Sequence, residues 1–292
     1  MQEDPRHEVA IKELRHILED NARTMPEAGE FFYYLGLGEV NRVMPYQDPN
    51  WPGFGLRGDH FCKRMFILKN SFDAIITILH KIKWLTSQWQ ASILPEDDWQ
   101  AYIETDIHAF HVEMRSLFDS IAKSLNSAGE KSDQLSDSFH TLRNKAKNKP
   151  TQVQTLLGKE LTDLIASADW FDESRDFRDD LTHFEKDVEV GYATFPSGIK
   201  VVFRTVVGRE PRPVYAGPQM FKLNDDWILF EPYAGYYFGR FWYLLNQVCK
   251  LAGERLSLQK SGFSWVPTRL KSSLDMIGQS LAVMENAERC NS

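Results

Sequence analysis

Cysteine is scarce in this chain, and basic charge is outnumbered. The three cysteines, Cys62, Cys249 and Cys290, stand far apart in 292 residues and none belongs to a CxxC pair. That argues against a disulfide framework or a zinc ribbon and fits a reducing cytoplasm. Lys and Arg total 34 against 41 Asp and Glu, a formal net charge of -7. Bulk charge therefore repels nucleic acid, and any RNA or DNA contact needs a local basic patch. No stretch reaches the roughly 18 uninterrupted apolar residues of a membrane-spanning helix. The opening MQEDPRHEVA has no apolar h-region, so the expectation is a chain neither secreted nor membrane-spanning. GFGLRG (Gly53 to Gly58) lacks a following Lys-Ser/Thr and a preceding strand, which excludes a phosphate loop. There is no serine nucleophile elbow, no cysteine-protease signature and no internal repeat. No cofactor is expected.

What is present is apolar and aromatic. The chain is 42% hydrophobic and 13% aromatic, which suits a packed helical core or a sizeable interface and leads us to expect an oligomer. A short helix from Val9 to Asn21 precedes a Pro/Gly-rich loop. Met65, Leu68, Phe72, Ile75, Ile76, Leu79 and Ile82 recur at three- and four-residue steps and predict a first long helix. Ile103, Ile107, Phe110, Met114, Leu117, Ile121 and Leu125 predict a second. Residues 126–150 turn to Ser, Asn, Lys and Gly and read as a loop or weak helix. A helical pattern follows from Val153 to Ile165, and Trp170, Phe177, Leu181 and Phe184 stripe a third core helix. From Asp187 the period becomes two, through Val188-Val190-Tyr192, Val201 to Val207, and two short runs flanking Asn224 to Asp226. This predicts three or four antiparallel strands. After Pro232 the chain is apolar nearly all round to Leu251, the pattern of a buried or interfacial helix, with Gly253 as its stop. A final amphipathic stretch runs from Leu270 to Met284.

The third core helix carries Arg178-Asp179-Asp180-Leu181-Thr182-His183. An arginine can hold a phosphate and a histidine can move a proton near neutral pH, the two tasks of metal-free phosphodiester cleavage. Four apolar-striped helices with Arg178-x4-His183 near the end of the third, and polar Asp179 directly after the arginine, resemble the HEPN superfamily (higher eukaryotes and prokaryotes nucleotide-binding domain). The resemblance covers about Gly58 to Gly253. It implies a mainly α fold: an antiparallel four-helix bundle with a small β insertion before the last core helix and extra terminal helices. The domains would be an N-terminal helix and loop at 1–57, a HEPN-like domain at 58–256 with its insertion at about 187–231, and a C-terminal helical extension at 257–292. It further implies a homodimer in which two motif helices build a composite site that cleaves RNA without metal. Such proteins act as toxin or defence ribonucleases, with an antitoxin or other protein as a possible partner.

On this reading Arg178 grips phosphate, His183 transfers protons and Asp179, four residues before it, orients the imidazole. Attack by the RNA 2′-hydroxyl would leave 2′,3′-cyclic phosphate and 5′-hydroxyl ends. Residues five apart lie about 140° around a straight helix. Arg178 and His183 therefore converge only if the helix ends or bends before His183, or across a dimer axis. Arg143, Lys145, Lys147 and Lys149 form an acid-free run that could extend an RNA track; a solubilising loop is the competing reading. The motif itself competes with a solvated helix face of weak ion pairs. Two other functions stay open: a non-catalytic HEPN-like module that binds a nucleotide or a protein, and a purely structural interaction protein. His108 and His111 could present two imidazoles to zinc, but ordinary polar helix positions are the preferred reading, and His111 could instead line the bundle groove. Asp172, Glu173, Asp176, Asp179 and Asp180 could hold a divalent cation; for Asp172 and Glu173, favourable charge at a helix start is the simpler account. No metal site is assigned.

Overall fold

The computed structural model describes residues 55–128, 135–183, 186–195, 198–207, 210–211, 221–223 and 227–256. The helices expected at Val9 to Asn21 and Leu270 to Met284, and the turn at Asn224 to Asp226, lie outside the described residues. Over what is described, the chain is mainly helical with one small antiparallel sheet.

Helix α1 (Gly55–Gln90) and helix α2 (Glu96–Ala128) are the two long striped segments. Phe61, Leu68, Phe72, Ile75, Ile76, Leu79 and Ile82 bury one face of α1, and the seven stripe residues from Ile103 to Leu125 are all buried on α2. A tight connection at residues 91–95 joins them, with Ser92 in the left-handed region at φ 56°. Contacts between Trp89 and Trp99 and between Lys81 and Asp106 show that the helices run antiparallel. Glu96, Asp97 and Asp98 place negative charge at the start of α2, where the helix dipole favours it.

The polar stretch expected as loop or weak helix contains a real helix, α3 (Phe139–Asn148). Phe139, Leu142 and Ala146, three and four apart, bury its inner face, and Asp119 of α2 accepts the backbone N–H of Phe139 at 3.0 Å. Helix α4 (Pro150–Leu157) starts on Pro150, whose missing N–H costs nothing there. Gly158, at φ 87°, turns the chain into α5 (Lys159–Ala166).

Helix α6 (Trp170–His183) buries Phe171, Ser174, Phe177 and Leu181. Phe171 joins the stripe at its start, and Trp170, only partly buried, packs against Phe118 at the edge of the core. The sheet follows: β1 (Lys186–Phe195) pairs antiparallel with β2 (Gly198–Val207), and short β3 (Glu210–Pro211) and β4 (Ile228–Leu229) also pair with β2. Arg204 faces Glu189 across the β1–β2 ladder at 2.7 Å and lies over the Trp227 ring. A Cβ at Gly191 would meet the Trp227 ring at 3.1 Å, so the ring would have to shift by a few tenths of an ångström to admit one.

Helix α7 (Phe230–Arg255) begins before Pro232, so that the proline sits in the first turn. It is the central element, buried against the rest of the chain. Phe238 and Trp242 meet Phe72 of α1, Phe241 meets Phe118 of α2, Tyr233 meets Phe177 of α6, and Phe230 meets Phe203 of β2. No described helix is long and apolar enough to cross a membrane.

Candidate functional site

Helix α6 holds the motif by its buried stripe. Phe171, Phe177 and Leu181 fix the inner face, and the register then sets Arg175, Arg178 and Asp179 along one flank at 26 to 29% exposure. Arg178 Nη1 donates to Asp179 Oδ1 at 2.7 Å, and Arg175 Nε donates to Asp179 Oδ2 at 3.1 Å. Partial burial pushes the Asp179 carboxyl up; the hydrogen bond from Arg178 and the charge of Arg175 outweigh it and hold the group below the usual carboxylate range. Asp179 thus sets the position of two guanidinium groups. The helix continues through His183, so an end before the histidine does not bring it round to Arg178; the His183 side chain lies outside the described residues.

The basic run is divided. Arg143 points inward, 1% exposed, and pairs with Asp169 and with Asp172, the latter at 2.5 Å. Lys147 also pairs with Asp169. The hydrogen bond from Lys147, against a smaller opposing effect of burial and with further help from Arg143, keeps the Asp169 carboxyl below its ordinary range. Arg143 therefore ties α3 to the start of α6. Lys145 is partly buried, and Lys149 is exposed at the end of α3.

The same seam brings together residues that sequence reading did not single out as a site. His140, on α3, places Nδ1 3.0 Å from Arg175 Nη1, while the Asn144 side-chain amide lies 2.9 Å from Nε2. A guanidinium can only donate, so Nδ1 is an acceptor and the imidazole is neutral. Partial burial and the charge of Arg175 both lower the His140 pKa from its ordinary value. Arg115 reaches the seam from α2, donating to Ser138 Oγ at 3.4 Å and pairing with Asp119 at 3.5 Å. The spacing of Phe139, Leu142 and Ala146 was the available signal, since a helix with that inner face sets His140 beside it.

His111 is in the core. It is 2% exposed and lies against Phe177, with Nδ1 2.7 Å from the Ile107 carbonyl and Nε2 2.8 Å from the Tyr233 hydroxyl. The carbonyl only accepts, so Nδ1–H donates and Nε2 accepts from Tyr233. His108 lies 3.9 Å from Asp187. Among the described residues no three His, Cys, Asp or Glu side chains are grouped to hold a metal ion.

Comparisons with protein-family models, curated proteins and solved structures found no match to this chain. The functional reading therefore rests on the residues and their geometry.

Proposed function

We propose that the chain is a HEPN-like, metal-independent endoribonuclease of the toxin or defence kind, acting as a homodimer in the cytoplasm. In this reading α1, α2, α6 and α7 are the four bundle helices and the sheet is an insertion before the last. The carrying observation is that α6 presents Arg178 on a partly exposed flank and continues to His183, so the pair would have to converge between two copies.

The chemistry follows from the groups. One His183 imidazole takes the 2′-hydroxyl proton, and the freed oxygen bonds to phosphorus. The bond from phosphorus to the 5′-oxygen then breaks, and that oxygen takes a proton from His183 of the partner subunit. Arg178 steadies the extra charge on the phosphate, oriented by Asp179. Lys145 and Lys149 extend the phosphate track; Arg143, already engaged with Asp169 and Asp172, supports it from below.

RNA incubated with the full chain and a chelator should yield 2′,3′-cyclic phosphate ends. Arg178→Ala and His183→Ala should each abolish cleavage. Cleavage that survives both substitutions, or that requires added metal, overturns the mechanism. A second reading, a non-catalytic nucleotide- or protein-binding module, draws on the 2.7 Å engagement of Arg178 by Asp179, which already satisfies part of the guanidinium. Uncut RNA together with nucleotide binding lost in Arg178→Ala selects that reading.

A further inference from the structure

Two unmet polar atoms flank His140. Arg115 Nη1 is shielded from solvent and has no hydrogen-bond partner among the described residues; nor does Asp172 Oδ1, which lies 4.0 Å from His140 Nδ1. Arg175 Nη1, between them in function, spends a charged donor on a neutral imidazole. A donor without a partner, a cation on a weak acceptor and a carboxylate oxygen awaiting a donor are all satisfied by one event. If an oxyanion drew the hydrogen bonds of Arg175 and Arg115, the imidazole could protonate and donate to Asp172.

We propose that the seam between α3 and α6 is a phosphate-binding site in which Arg175 and Arg115 take the phosphate oxygens and His140 gains a proton from solvent as the anion binds. Guanidinium groups suit this task because their planar forks match phosphate oxygens. The charged groups that act on His140 are Arg175 and Asp172 from α6, Arg115 from α2 and Arg143 from its own helix. Arg143 is occupied by two aspartates. Arg175 and Arg115 each turn Nε to an aspartate, Asp179 and Asp119, and Arg175 Nη1 also lies 3.9 Å from Asp176. The response therefore falls to their Nη1 groups, one on His140 and one unmet. Side chains of Arg175 and His140 are 29% and 32% exposed, so an anion meets them at the surface, while Arg115, 20% exposed with Nη1 shielded, must turn outward to join it. The site uses neither Arg178 nor His183 and stands whether or not that pair cuts RNA.

The test follows the His140 ring proton by NMR in the full chain, titrated with pH in chloride, sulfate or inorganic phosphate at equal ionic strength. Sulfate is included because it does not itself titrate near neutral pH. The midpoint should rise in sulfate and in phosphate relative to chloride. Sulfate affinity should increase by up to about tenfold per pH unit as pH falls between the midpoints of the free and bound forms. In Arg175→Gln the midpoint should start higher, because a neighbouring cation is gone, and lose its anion dependence; in Arg178→Gln the dependence should remain. Equal midpoints in all three salts, or an anion-induced rise that persists in Arg175→Gln, overturn the proposal. If a nucleoside 5′-monophosphate moves the midpoint at lower concentration than a short RNA, the ligand is a terminal phosphate; the opposite order identifies the RNA backbone.

Discussion

His111 and His140 are both held neutral, yet the surroundings that hold them differ in kind. His111 sits in the aromatic core with each ring nitrogen satisfied, and burial drives its pKa to about 4. His140 sits on a partly open seam, where burial is joined by the charge of Arg175 and where a donor and an acceptor nearby are unmet. A lowered histidine pKa alone does not mark a site. When the groups around it are all satisfied, the residue is part of the packing; when they are partly unsatisfied and exposed, something else can complete them.

The comparison breaks most sharply at His111. Replacing it with Ala removes a ring from the stack on Phe177 and takes the Nε2 acceptor away from the Tyr233 hydroxyl, whose own pKa burial raises well above its ordinary value. The expected loss is about 4 kcal/mol of folding stability, read as a lower midpoint in urea unfolding at pH 7.5. A loss below about 1 kcal/mol would mean that the core does not depend on this pair.

The pH dependence comes next in size. Because the folded pKa of His111 lies at about 4 against 6.5 in the unfolded chain, its contribution is fully present above pH 6.5. It is lost as pH falls from 6.5 toward 4, where the unfolded state binds a proton that the folded state does not, at a cost on the order of 3 kcal/mol. His111→Gln should flatten that part of the stability profile. An unchanged slope between pH 6.5 and 4 would place the titrating group elsewhere.

Much of the core was legible in the sequence, because a wide apolar face repeats at helical spacing whatever it packs against. The stripe of α2 appears in the structure residue for residue and that of α1 from Leu68 to Ile82, and the period-two stretch after Asp187 became β1 and β2. What escaped was the seam. In α3 three apolar residues are interleaved with His, Arg, Asn and Lys, so composition left a loop and a weak helix both open, and the spacing of the three decides for the helix. The run from Arg143 to Lys149 looked like one basic surface, yet the helix turns Arg143 inward to aspartates more than twenty residues away. That pairing depends on how α3 docks against α6, a tertiary fact that no local pattern contains. Arg178 and Asp179 stand out in the sequence, while Arg175, one turn earlier, belongs to no motif; its place beside His140 comes from the same docking.

Arg143 sharpens the comparison from the side of the seam. Arg143→Met preserves much of the side-chain volume but leaves Asp169 and Asp172 without their shared cation. Because both carboxylates are substantially exposed, water recovers part of the loss, and the expected destabilisation is about 2 kcal/mol rather than the larger cost of stranding a fully buried charge. Arg143→Lys should recover less than half of it, since a single ammonium cannot reproduce the fork that reaches both acids. Full recovery by Lys in thermal unfolding would show that charge, not geometry, joins α3 to α6.

The smallest expected effect on folding belongs to His140, and it carries the distinction between the two histidines. His140→Asn keeps a polar side chain of similar reach on a partly exposed surface and removes no apolar packing comparable to that of His111. Stability at pH 7.5 should therefore change by no more than about 0.5 kcal/mol. Since burial and Arg175 lower the His140 pKa in the folded chain, the native residue stabilises above its unfolded pKa and loses that contribution as pH falls through the folded value. The variant should thus lose slightly less stability than the parent on acidification. Urea unfolding of the two proteins at pH 7.5 and pH 5 checks this sign. If His140→Asn instead costs as much as His111→Ala at pH 7.5, the seam is held by His140 itself, and its unmet neighbours reflect packing constraints rather than readiness for an anion.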